Sequence, residues 1–222
     1  RVLEHNPKPQ QQVYDYYALA LFMNKRYEKA VEMVRMSGAA TESDLGLEVL
    51  AMAYARLGRA ADARAAVATM ARRTAGTNLT GIRNVYGYHR RQEDLDDRIN
   101  ALRDAGLPEW PFGFHRKPED QLDGAAIREL ALGKTWTGHQ QDGAPFVMQM
   151  DVNGDYAQRG PRGLTIGNMT FEGDLMCMKS SALASGRKFC SPVYRNPGGS
   201  SAGQDEYVFP DVATIWYFSP TP

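Results

Sequence analysis

The sequence predicts an α+β chain of two domains: an α-helical repeat array followed by a small antiparallel β-barrel with one leading helix. Three observations carry this reading. Up to about residue 106, apolar residues recur every three or four positions, in units that repeat along the chain. Beyond about residue 119 the pattern changes to short alternating runs punctuated by glycine. Between them, the stretch from Leu102 to Phe114 stops helix with Gly106, Pro108 and Pro111 and sets Trp110, Phe112 and Phe114 at alternate positions. The domains are therefore 1–109, helical repeats; 110–118, an aromatic and proline linker; and 119–222, the β domain. A flexible tether has no use for three aromatics, so Trp110, Phe112 and Phe114 are expected to pack, either as an interdomain wedge or tucked onto one domain.

In the first domain, Tyr14, Tyr17 and Leu21 and then Tyr27, Ala30, Val31 and Val34 mark two helices separated by Asn24-Lys25-Arg26. Leu47, Leu50, Ala51 and Tyr54, a turn at Leu57-Gly58-Arg59, and Ala60, Ala63, Val67 and Met70 repeat the layout. Ala30 aligns with Ala63, a period of 33, and Ala18 with Ala51, where helices must approach closely. Thr80 to Ala105 forms a degenerate third unit, with Asp97 and Arg98 where the pattern wants a small residue. The whole resembles the tetratricopeptide repeat, in the period, the small residues and the second-helix starts Tyr27-Glu-Lys-Ala30 and Gly58-Arg-Ala-Ala-Asp-Ala63. That likeness implies a stacked array serving either as a protein-contact surface or as a scaffold.

In the second domain, Glu119–Leu132 reads as one amphipathic helix ended by Gly133. Strands are expected near Thr135–Gln141, Pro145–Val152, Asp155–Arg159, Leu164–Thr170, Leu175–Lys179, Lys188–Arg195, Glu206–Phe209 and Ala213–Ser219. Asn153-Gly154 is a strong hairpin signal. Trp136, just after a helix-ending glycine, resembles the opening of lipocalin-like barrels. A barrel of this size either holds a small apolar ligand among Trp136, Phe146, Met148, Met150, Tyr194 and Trp216 or is filled by its own side chains. Cys177 and Cys190 lie on two arms of a hairpin with its tip near 182–186, which places them close to opposite one another. A structural disulfide implies an oxidising compartment; two buried thiols are the alternative, and imply cytoplasm.

Composition excludes several classes. Hydrophobic residues make up 43% and charged residues 23%, as in ordinary globular chains, and no apolar run is long enough for a membrane helix. Net charge is zero, but residues 1–117 carry 18 basic against 14 acidic side chains, or +4, leaving −4 for the rest. Neither value suits nucleic acid. Gly133-Lys134-Thr135 is no phosphate loop, because Arg128 stands where its first glycine belongs. Asp151-Val-Asn153-Gly-Asp155 begins like a calcium loop, but Tyr156 replaces the required glycine and Arg162 the closing glutamate. His5, His89, His115 and His139 are isolated, no GxSxG element exists, and no cysteine spacing suits zinc, so neither metal, cofactor nor catalytic site is expected. Pro197–Gly203 is a flexible loop or a lid over the barrel. The chain starts at Arg1 without an initiator Met, which reads as a mature fragment or a piece of a longer protein.

Ala105-Gly-Leu-Pro-Glu109, closing the repeat region, resembles the end of the repeats in bacterial class III adenylate/guanylate cyclases. Residues 10–109 carry the likeness. Gly133-Lys-Thr-Trp-Thr-Gly138 and Gly186-Arg-Lys-Phe-Cys190 look like an appended β domain of that group. These 222 residues hold no cyclase core or metal-binding aspartate pair, so the resemblance implies a non-catalytic regulatory or sensory region. It would be periplasmic, part of a membrane-anchored protein, and would act on an attached cyclase domain or protein partner through contacts or a small ligand. A stand-alone ligand-binding barrel with a helical scaffold is the rival reading.

Overall fold

The computed structural model describes residues 10–36, 43–86, 91–161, 163–180, 188–200 and 205–221. His5, His89, Arg162, the 182–186 hairpin tip, the start of the Gly186–Cys190 motif and the end of the 197–203 loop lie outside them. The chain forms two compact units, Arg1–Glu109 and Trp110–Pro222.

Among the described residues, the first unit holds three helical hairpins: α1 (Gln11–Met23) with α2 (Tyr27–Met36), α3 (Asp44–Arg56) with α4 (Ala60–Arg73), and α5 (Leu79–Tyr86) with α6 (Gln92–Asp104). The turns repeat with the sequence. Lys25 and Gly58, 33 apart, both take left-handed backbone, at φ 59° and 71°. In each, the next N–H reaches back five residues, Arg26 to Leu21 O and Arg59 to Tyr54 O. Gly106 closes α6 the same way, at φ 93°, with Leu107 N–H donating to Leu102 O.

α3 is central, packing on α1, α2, α4 and α6, and is buried continuously from Gly46 to Tyr54. Its Glu48 therefore needs an internal partner. Arg98 of α6 supplies it, with Nε donating to Glu48 Oε1 at 2.5 Å and both side chains at most 5% exposed. Arg98 is thus half of a buried ion pair, and its neighbour Asp97 pairs with Arg56 at 2.6 Å. Pro108 and Glu109 return to α5, accepting the Leu79 and Thr80 N–H groups that the first helical turn leaves free.

Among the described residues, the second unit holds a nine-stranded antiparallel sheet with one α-helix, α7 (Gly124–Ala131). This helix starts later than the sequence suggested, because Asp123 caps it by accepting from Ala126 N–H at 2.8 Å. Pro118–Asp120 is a separate 3₁₀ turn. The strands are β1 (Thr135–Gln140), β2 (Pro145–Met150), β3 (Asp155–Gly160), β4 (Gly163–Glu172), β5 (Leu175–Ser180), β6 (Lys188–Ser191), β7 (Tyr194–Arg195), β8 (Tyr207–Pro210) and β9 (Ile215–Thr221). The expected strand at 188–195 is split in two, since Pro192 lacks the N–H a continuous ladder requires.

Hydrogen bonding orders the sheet β6-β5-β4-β3-β2-β1-β9-β8-β7. β6 and β7 are thus its opposite edges, yet only Pro192 and Val193 separate them. Laid flat, nine strands would span about 38 Å, whereas Ser191 and Tyr194 stand at most about 11 Å apart along the chain. The sheet must therefore curl, and it forms an antiparallel half-barrel. Ser191 of the β6 edge ties it to β8 across the gap, its Oγ–H donating to Pro210 O (2.6 Å).

Inward-facing Trp136, Phe146, Met148, Met150, Tyr156, Met169, Met176, Met178, Phe189, Phe209, Trp216 and Phe218 form the core, with Ile127, Leu130 and Ala131 of α7. Trp136 Nε1–H donates to Leu130 O at 2.8 Å, fixing the helix at that end. Cys177 and Cys190 are paired residues of β5 and β6 and are joined by a disulfide. No helix among the described residues is long and apolar enough to cross a membrane.

Candidate functional site: the mouth of the half-barrel

The end of the half-barrel away from Trp136 is open. A partly enclosed cavity of about 570 Å³ lies there among the β1–β2, β3–β4 and β8–β9 turns and the end of β5. Its apolar wall is Met178, Phe209 and Trp216, with the Phe209 and Trp216 rings nearly parallel at 5.9 Å and Phe146 edge-on to Trp216 at 4.7 Å. Its polar groups include Gln140, Asp142, Tyr156, Gln158, Ser180 and Asp211.

Strand alternation puts these groups inside: Trp136, Gly138 and Gln140 share one face of β1, and Met176, Met178 and Ser180 one face of β5. The Tyr156 ring fits because β4 carries glycine at its pairing partner, Gly167. A Cβ there would fall 2.7 Å from the Tyr156 hydroxyl and 2.4 Å from Lys179 O. Burial pushes the Tyr156 hydroxyl above the usual tyrosine range; a hydrogen bond to Ser180 opposes this and the Asp211 charge adds to it. Gln140 is only 7% exposed, and its side-chain amide has no partner among the described residues. That amide reaches the cavity and is open to a partner there.

Of the residues picked from sequence as a pocket, Trp216 lines the mouth. Trp136, Phe146, Met148 and Met150 lie in the packed core, and half-buried Tyr194 packs at a tilt against Phe114, 5.8 Å between ring centroids. Trp110 meets Phe189 edge-on at 6.4 Å, while Phe112 is 48% exposed. A wider depression of about 930 Å³ on the outside of β2–β5 is shallow and open.

The structure also assembles a Ser/His/Asp group that sequence spacing does not reveal. His139, on the outer face of β1, has Nε2 2.7 Å from Ser200 Oγ and 2.9 Å from Asp205 Oδ2, while Ser200 Oγ–H donates to the same Oδ2 at 2.9 Å. Its Nδ1 lies 2.8 Å from Gln140 O, and its ring stacks on Tyr217. A nucleophile triad sets the acid and the serine on opposite ring nitrogens, so that one orients the base that deprotonates the other. Here both crowd one nitrogen, which ties the glycine-rich loop to the outer face of the sheet instead. The one cluster of metal-ligand types among the described residues is Glu172 with Cys177 and Cys190, and the disulfide consumes both sulfurs. No protein-family model, no curated protein and no solved structure matches this chain.

Proposed function

We propose that the β unit binds a small molecule in the mouth of its half-barrel, and that the helical unit is a tetratricopeptide-like contact surface for a protein partner. The observation that carries the first part is the Gln140 amide, without a hydrogen bond among the described residues and open to a cavity walled by Phe209 and Trp216. Small-molecule sites combine such apolar walls with a few converging polar groups. The lipocalin-like reading of the β unit rests on the antiparallel half-barrel and its single end helix. The repeat reading of the helical unit rests on the 33-residue spacing of its left-handed turns.

The experiment is a thermal-shift screen of neutral, cationic and anionic fragments against the unaltered chain and Gln140→Leu. Fragments that stabilise the parent but not the variant are the expected result. A screen with no hits, or hits indifferent to the substitution, sinks the reading. In keeping with the cyclase resemblance over residues 10–109, we place this module in a periplasmic sensory region of a membrane-anchored signalling protein. The disulfide supports an oxidising compartment. The gene tests that placement: a cyclase domain and a membrane helix encoded upstream support it, and a full reading frame that encodes neither overturns it.

A further inference from the structure

We infer that the mouth takes a small organic cation, a primary amine on a flat apolar body. This rests on the reading of the mouth as a binding site. The charged residues among its described lining are Asp142 and Asp211, both acidic. Asp211 is held in place by its own turn: its N–H donates to Thr214 O, and its carboxylate accepts from Val212 N–H at 2.5 Å and Trp216 Nε1–H at 3.3 Å. A fixed negative charge thus sits beside the indole that walls the cavity, and aromatic faces themselves attract cations.

An ammonium group carries three donors and no acceptor. The mouth answers with acceptors: the unused Gln140 amide oxygen, the Tyr156 and Ser180 hydroxyl oxygens and the Asp211 carboxylate. An anion of the same shape meets two carboxylates there. A neutral alcohol gains the apolar wall but not the charge.

The test is calorimetric titration of the full chain with benzylammonium, benzyl alcohol and phenylacetate at neutral pH and low salt, then at high salt. Benzylammonium is expected to bind at least about tenfold tighter than benzyl alcohol, with phenylacetate weakest, and high salt is expected to erode the advantage. Asp211→Asn is expected to remove most of that advantage. If the variant is poorly folded, the salt series on the unaltered chain decides alone. Equal binding of amine and alcohol, or tighter binding of phenylacetate, with the heat lost in Gln140→Leu, overturns the cation class and leaves the mouth as the site. No heat from any of the three probes overturns both.

Discussion

At the scale of single residues, the mouth depends on positions where a side chain is missing. Gly138 is paired with Phe218, and a Cβ on it would stand 1.9 Å from Tyr217 O. Backbone cannot yield as a flexible side chain can. Gly138→Ala is expected to destabilise the β unit by about 3 kcal/mol or more, at the upper end of overpacking costs, with urea unfolding as the measurement; a loss below about 1 kcal/mol would refute the close approach. Tyr156 gives a second test. Its hydroxyl titrates higher in the folded than in the unfolded chain, so its contribution is whole below the unfolded value of about 10 and is lost as pH rises through the folded one. The unaltered chain is therefore expected to lose more stability above about pH 10 than Tyr156→Phe does. Neither role is legible in the sequence, where Gly138 and Gly167 look like ordinary strand glycines and Tyr156 only displaces a calcium-loop glycine. Close backbone approach is a property of strand register, which one sequence does not display.

At the scale of elements, periodicity carried most of the information. The helical hairpins with their turns, the helix stop at Gly106, the Asn153-Gly154 hairpin and the Cys177–Cys190 pairing were legible because each follows from local spacing. The split between β6 and β7 was not, because strand propensity runs through Lys188–Arg195 and only Pro192 marks the break. The burial of Arg98 was hidden for the opposite reason: a charged residue on a helix reads as solvated until its partner fifty positions away is known. Removing one member leaves the other charged and enclosed. Arg98→Ala is expected to cost about 3–5 kcal/mol, and Glu48→Leu with Arg98→Leu distinctly less. Chemical denaturation of the single and double variants decides, and a double variant as unstable as the single one would contradict the account.

At the scale of the whole molecule, each unit buries its own core, from Ala18 to Leu107 in the first and from Leu122 to Phe218 in the second. Residues 1–109 and 110–222 produced separately are accordingly expected to keep helical and β-type circular dichroism respectively, each with a cooperative melt. A fragment that does not melt cooperatively argues against its autonomy. The sequence announced the change from helix to strand at the seam. The curl of the sheet was hidden in a distance: the first and ninth strands in pairing order are joined by two residues. The Ser/His/Asp group was equally hidden, since its members come from β1 and from a loop some sixty positions later.

The interior of the half-barrel is unusually rich in sulfur. Met148, Met169 and Met176 are at most 1% exposed, whereas Met178, 7% exposed, borders the mouth. Thioethers oxidise to polar sulfoxides that no longer suit an apolar core. In an oxidising compartment the mouth is then also a peroxide gate. Dilute hydrogen peroxide is expected to convert Met178 before Met148, Met169 or Met176, as peptide mass spectrometry would record, and a molecule seated in the mouth shields the thioethers behind it.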